Sequence, residues 1–177
     1  MRELPIPFST PMVKAILEDR KSQTRRVIKP CSPATIADGT QPEWVFTLAK
    51  PHYQVGDQLW VKETWSPLTE ATGRVTGVIY KANFTTEDLK AEECDMKGIW
   101  KSGRFMFKKY ARLWLEVTAV RAEKLQSITY PDILDEGWDA RSSLPFTNRT
   151  SGEDAREWFV NLWDSINGRK YPWESNP

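Results

Sequence analysis

Lys21-Ser22-Gln23-Thr24-Arg25-Arg26 places a lysine, two hydroxyls and two arginines on six consecutive residues, with Arg20 directly before them. The segment follows a short helix pattern and opens a strand pattern, so the sequence puts it on a turn. Like charges crowded on a bend repel one another, and an anionic ligand relieves that repulsion. A lysine among arginines also has its pKa pushed down. A solvated basic turn is the plain alternative for such a segment taken alone.

The turn must be held by a chain of 177 residues, enough for one domain with a good-sized core or one domain with elaborations. The 25 basic and 24 acidic residues leave a formal net charge of +1, so nothing in the whole-chain charge marks a polyanion binder. Any contact with nucleic acid has to come from a local patch, and Arg20 to Lys29 is the densest one. Nine tryptophans supply large apolar area, most of it for the core, with some rings available to stack on a flat ligand. Cys31 and Cys94 lie far apart with no CxxC spacing and no histidine nearby, which argues against zinc and against a disulfide framework. His52 is the lone histidine, too little for a histidine triad or metal site. No apolar run is long enough for a signal peptide or a membrane span. The sequence therefore predicts a cytoplasmic protein with no membrane segment, no metal and no cofactor.

Thr10-Pro11 reads as a helix start, with Val13, Ile16 and Leu17 on one apolar face of a helix running to about Asp19. Arg25 to Ile28 reads as a strand, Cys31 to Gln41 as a loop, and Trp44 to Leu48 as a short strand. Gln58 to Trp65 alternates, with Leu59 and Val61 facing one way and Trp60 the other. Val78 to Ala82 is a further strand. Residues from about Thr85 to Gly103 carry mixed charge and little period, the mark of an insertion. Arg112 to Ala122 alternates again as a strand, with Leu113, Leu115, Val117 and Ala119 on one face. Thr129 caps a short helix through Ile133 and Leu134 that Gly137 ends. From Ser151, the residues Ala155, Trp158, Phe159, Leu162 and Ile166 form a core stripe at helical spacing. Short strands, long connections and three modest helices predict an α+β fold, a partly closed β-barrel with short helices at its rim.

Several of these segments together resemble ASCH-domain proteins, particularly those carried by bacteriophages and prophages. Phe8-Ser9-Thr10-Pro11-Met12-Val13-Lys14-Ala15-Ile16-Leu17, followed by Arg20 to Arg26, is similar to the family's opening. Gly56-Asp57 with Leu59-Trp60-Val61-Lys62-Glu63-Thr64-Trp65 resembles its second block. Leu115-Glu116-Val117-Thr118, Leu125-Gln126 and Asp135-Glu136-Gly137 resemble its third, and Leu162 to Gly168 the block before the last strand. The resemblance runs over nearly the whole chain, residues 1–177 as a single domain with an insertion at about 85–103. The loop from Cys31 to Gln41 and that insertion make the chain larger than the enzyme members. It ends at Trp173-Glu174-Ser175-Asn176-Pro177, where relatives continue into an apolar closing strand. Either the product is truncated, or another segment or subunit covers that edge.

The resemblance implies a PUA-like barrel whose relatives bind RNA or modified nucleosides in a cleft. It also implies an enzymatic alternative, since small ASCH proteins include an amidohydrolase that removes the acetyl group from N4-acetylcytidine. That enzyme uses a lysine and a threonine three residues apart, plus a glutamate on a later helix; Lys21, Thr24 and Glu136 match them here. Thr24 would attack the acyl carbonyl, Lys21 take its proton as a neutral amine, and Glu136 orient the lysine or shuttle a proton. A close Glu136 carboxylate would raise the lysine pKa against the arginines' effect. Arg20, Ser22, Arg25, Arg26, Glu63 and Trp65 are the candidate ligand-binding residues. Three readings stand at this stage: RNA or modified-nucleoside binding at the basic turn, amide hydrolysis of an acylated cytidine, and a protein-interaction module of phage biology.

Overall fold

The computed structural model describes residues 1–28, 51–85, 100–139 and 151–177. The expected loop at Cys31 to Gln41, the strand at Trp44 to Leu48 and most of the insertion at 85–103 lie outside the described residues. Two compact units divide the chain, the first made of Met1–Leu17 and Tyr53–Ala119, the second of Glu18–His52 and Val120–Pro177. Strands and helices are both present, and the fold class is α+β. No helix among the described residues is long and apolar enough to cross a membrane.

In the first unit, β1 (Glu3–Pro7), β2 (Gln58–Lys62) and β5 (Trp114–Glu116) form a three-stranded sheet in the order β1-β2-β5. β1 pairs with β2 in parallel and β2 with β5 antiparallel, so Leu4, Leu59 and Leu115 form one row and Pro5, Trp60 and Trp114 the next. Side chains alternate across a sheet, which sends the leucine row and Ile6–Val61 into the core and the tryptophan row outward. Ile6 and Val61 are fully buried, and Leu113 and Val117 pack beside them. Helix α1 (Thr10–Leu17) buries Val13 and Ala15, with Ile16 partly covered. Leu17 ends its helix 45% exposed, outside the apolar face that the sequence assigned to it. β3 (Trp65–Thr69) and β4 (Val75–Tyr80) make an antiparallel hairpin. Gly73 supplies its left-handed turn residue, with φ 80°.

The predicted long strand from Arg112 to Ala122 is paired only at Trp114–Glu116. Its burial alternation nevertheless continues to Val117, whose N–H donates to Asp57 O and whose carbonyl accepts from Gly56. The expected period holds to Val117 and then fails, since Ala119, expected on the core face, is exposed; the ladder is short because pairing requires a neighbour as well as a pattern.

In the second unit, α2 (Tyr130–Asp135) and α3 (Ser151–Asn167) enclose a core of Ile133, Trp138, Ala155, Phe159 and Trp163. The stripe on α3 runs through Ala155, Phe159 and Trp163 at four-residue steps, while Ile166 is 55% exposed one turn too late to reach the core. The Thr129 hydroxyl oxygen accepts from Asp132 N–H, and the Asp132 carboxylate accepts from Thr129 N–H, a reciprocal cap that fixes where α2 starts. Gly137 ends it at φ 104°. The C-terminal residues tie back to the same core: Leu125 N–H donates to Pro177 O, and Trp173 packs edge-on to Phe159.

Arg25 to Ile28, expected as a strand, belongs to no ladder of strands. The backbone upstream is instead satisfied by the C-terminal end of α2. Ser22 and Gln23 N–H both donate to Asp135 O at 2.8 and 2.9 Å, and Lys21 forms an isolated antiparallel bridge with Glu136.

Candidate functional site

That bridge sets the site. It brings two residues 115 positions apart to the same point, with both side chains inside the unit. The Lys21 ammonium donates to Glu136 Oε2 at 2.7 Å, to Glu136 O at 2.9 Å and to Gln23 O at 2.7 Å. Three acceptors match the three N–H bonds of an ammonium. The Lys21 side chain is 2% exposed and that of Glu136 4%, so neither reaches bulk water. Burial pushes the Lys21 pKa down and outweighs the raising effect of the Glu136 charge; Arg26 and Arg25 push in the same direction as burial.

Arg25 lines the same cluster. Its guanidinium lies 3.2 Å from Glu123 Oε2, 3.3 Å from Asp132 Oδ2 and 3.6 Å from Glu136 Oε1, over the Phe159 ring at 6.0 Å. At 3.6 Å the last pair is an ion pair beyond hydrogen-bond length. Arg25 NH1 and Glu136 Oε1 are both buried with no hydrogen-bond partner among the described residues. Buried polar atoms are nearly always hydrogen-bonded, so these two facing atoms form the one part of the cluster suited to further hydrogen bonds.

Asp132 organises the remainder. Its Oδ2 accepts from the Thr129 hydroxyl and N–H, and its Oδ1 accepts from Arg121 NH2 at 3.0 Å and Gln23 Nε2 at 3.2 Å. Burial raises the Asp132 pKa, but those donors outweigh it and hold the carboxyl well below the usual range. Gln23 Nε2 also donates to Asp135 Oδ2 at 2.9 Å. Gln23, Arg121, Glu123 and Asp132 are not among the residues singled out from sequence. The signal for Asp132 was present in the Thr129-x-x-Asp132 cap; the others carry no local signal.

The expectation of an uncompensated basic turn is corrected by this network. Lys21, Arg25 and Arg121 face Glu123, Asp132, Asp135 and Glu136, and Arg20 pairs with Glu18 while donating to Gly137 O at 2.7 Å. The crowded cations are neutralised from within, chiefly by the end of α2. Arg26 and Ser22 are exposed, and Thr24 is half-buried between Gln23 and Arg25. Arg25 is turned into the cluster with its side chain 15% exposed, while its neighbour Arg26 is exposed.

Glu63 and Trp65 belong to the first unit and to its internal packing. Glu63 is 1% exposed and held by Arg112 through two hydrogen bonds of 2.9 Å. Arg112 lies over the Tyr80 ring at 4.1 Å. Trp65 is buried against Tyr110, with ring centroids 5.2 Å apart, which leaves its ring faces to the core. Neither side chain is presented to a ligand.

Gly137 follows Glu136 at a backbone angle few other residues tolerate. Gly137→Ala should therefore cost about 1–2 kcal/mol in urea unfolding. If the variant is as stable as the wild type, the left-handed turn is not what seats Glu136.

No protein-family model, curated protein or solved structure matches the chain.

Proposed function

We propose that the second unit acts on an N-acylated cytidine-type nucleoside and hydrolyses its amide, within a PUA-like barrel architecture of the ASCH type. The observation that carries this reading is the buried Lys21–Glu136 pair, with the lysine pKa lowered by burial and a threonine three residues along the same segment. Burial disfavours the ammonium and so favours the neutral amine that a general base needs.

In the reaction this implies, Lys21 acts as the neutral amine that burial favours. The Thr24 hydroxyl oxygen then bonds to the acyl carbon while its proton goes to Lys21. The C–N bond breaks as the exocyclic nitrogen takes that proton from Lys21 by way of Glu136, releasing cytidine and leaving Lys21 neutral again. Water then attacks the acyl-threonine ester, giving a proton to Lys21, which returns it to the Thr24 oxygen as the C–O bond breaks. The acetic acid released loses its own proton to solvent as acetate. Arg25 NH1 is the cation next to Glu136 and is suited to the oxyanion that forms at the carbonyl.

A second reading, recognition without chemistry, is favoured by the three acceptors around Lys21 Nζ. That arrangement suits an ammonium holding Glu136 in place. Glu136 Oε1 would then accept the N–H of an acylated base while Arg25 NH1 donates to its carbonyl.

The deciding experiment incubates the full chain with N4-acetylcytidine and follows cytidine and acetate. Turnover without added metal supports hydrolysis. Saturable binding of N4-acetylcytidine with no product transfers the proposal to recognition, and neither binding nor product rejects both.

A further inference from the structure

The first unit carries a surface unlike that of a settled monomer. Phe105 and Phe107 are 67% and 63% exposed, and Trp114 is 43% exposed on the outward face of the sheet. Large apolar rings left in water mark a contact surface when they cluster and are held in place. These are held. Gly103 lies so close to β2 that a Cβ there would meet Lys62 O at 2.9 Å and Glu63 O at 3.0 Å. Three residues on, Met106 is 3% exposed, and its sulfur accepts from Glu63 N–H at 3.4 Å. With Met106 anchored inward, its neighbours on both sides are thrown outward, so the two phenylalanines project from a fixed backbone.

The charge around them is one-sided. From Lys101 to Arg112 the chain carries five cations and no acid. Arg104 and Lys108 flank the exposed phenylalanines in sequence, and Lys109 follows. On the sheet, Trp60 and Trp114 are cross-strand partners beside Pro5 of the edge strand. Lys62 Nζ lies 5.4 Å from the Trp60 ring centroid and Lys108 Nζ 5.5 Å from that of Trp114. The acids of this face, Glu3 and Glu116, share the row on the far side of Trp60, and Glu3 pairs with Lys108. Aromatic platforms interleaved with cations are what a polyanion with flat bases requires: stacking for the bases, ammonium and guanidinium groups for the phosphates.

We propose that this face of the first unit binds single-stranded nucleic acid, with bases stacking on Phe105, Phe107 and Trp114 and phosphates meeting Arg104, Lys108 and Lys109. A flat base stacks on an exposed ring whatever its identity, so the site tolerates many sequences and discriminates strands from paired duplex, whose bases are already stacked. Lys108 now pairs with Glu3 and Lys62 donates to Arg104 O at 2.6 Å; on binding they would exchange these partners for phosphates, because an ammonium on a four-carbon stem moves without disturbing the backbone. An anionic membrane surface is the less favoured partner: Trp60 and Trp114 lie side by side in one row of the sheet, a platform for flat bases. The inference is independent of hydrolysis at Lys21.

The test measures fluorescence anisotropy of labelled oligo(U) and oligo(dT), each about ten nucleotides long, with the full-length protein over a range of salt. Both strands should bind, with affinity falling as salt rises. Phe105→Ala/Phe107→Ala should weaken binding at least about tenfold with the salt slope unchanged, because stacking releases no counterions. Lys108→Gln/Lys109→Gln should instead flatten the slope by about 1.4, roughly 0.7 for each phosphate of a single strand left without its cation. Oligo(U) bound far more tightly than oligo(dT) would assign the face to RNA, and equal binding to single strands in general. Neither phenylalanine packs in a core, and the double variant should keep wild-type nucleoside chemistry and circular dichroism. The proposal is overturned if neither strand binds, if the phenylalanine variant binds as wild type, or if vesicles containing phosphatidylserine bind while oligonucleotides do not. Self-association that disappears in the phenylalanine variant, with no strand binding, would give the face to a second copy of this chain.

Discussion

Lys21→Met is expected to destabilise the protein by about 3–5 kcal/mol, the range found when one member of a buried ion pair is removed. Glu136 would be left 4% exposed, with its charge facing only Arg25 at 3.6 Å. Two carbonyls, Gln23 O and Glu136 O, would lose their donor as well. Lys21→Met/Glu136→Leu removes the stranded charge and should recover more than half of the loss, the remainder being the cost of those carbonyls. Urea unfolding of the three proteins measures both quantities. Equal destabilisation of the single and double variants would mean that the carbonyls, not the ion pair, are what Lys21 secures. The pH dependence has a definite sign. Burial lowers the folded pKa of Lys21 below the ordinary lysine value of 10.5, so in that alkaline window the unfolded chain binds more protons. Stability should rise with pH there in the wild type relative to Lys21→Met, and the difference should be flat below the folded pKa.

What the sequence made legible is local. The alternation at Leu59, Trp60 and Val61, the cap at Thr129 and the four-residue steps through Ala155 and Phe159 are short-range patterns, and the structure bears them out. Patterns fail where the answer depends on a distant partner. Arg25 to Ile28 has the composition of a strand, yet the bonds of the preceding residues go to the end of α2. The basic turn looked unbalanced because its carboxylates lie about a hundred residues downstream; the resemblance alone pointed to Glu136 beside Lys21, and no window of sequence shows Asp132 arriving there. Glu63 and Trp65 have the residue types of a binding site but are enclosed in packing that involves Arg112 and Tyr110. Phe105 and Phe107 carried no signal in the sequence, and only the burial of Met106 between them, beside Gly103 against β2, shows that the two rings are left outside.

If Lys21 is the base of an amide hydrolysis, Thr24→Ala and Glu136→Gln should each reduce turnover of N4-acetylcytidine by about 10²–10⁴-fold. The double variant should be little worse than either alone, because nucleophile and proton carriers act as one unit. Thr24→Ser keeps the hydroxyl and should retain activity. Lys21→Arg is a poor probe here, since a guanidinium does not fit a slot in which the side chain is 2% exposed and already meets three acceptors. The pH profile is more discriminating. Only neutral Lys21 can accept the Thr24 proton, so activity should climb with pH through the lysine pKa, which burial sets below 10.5. The Glu136 charge raises that pKa, and Glu136→Gln removes it while keeping a side chain of the same shape. The residual activity of Glu136→Gln should therefore reach its midpoint at lower pH than the wild type, even as its maximum falls. A merely structural role for Glu136 would lower the plateau and leave the midpoint in place, and a midpoint that moves upward would exclude Lys21 as the titrating base.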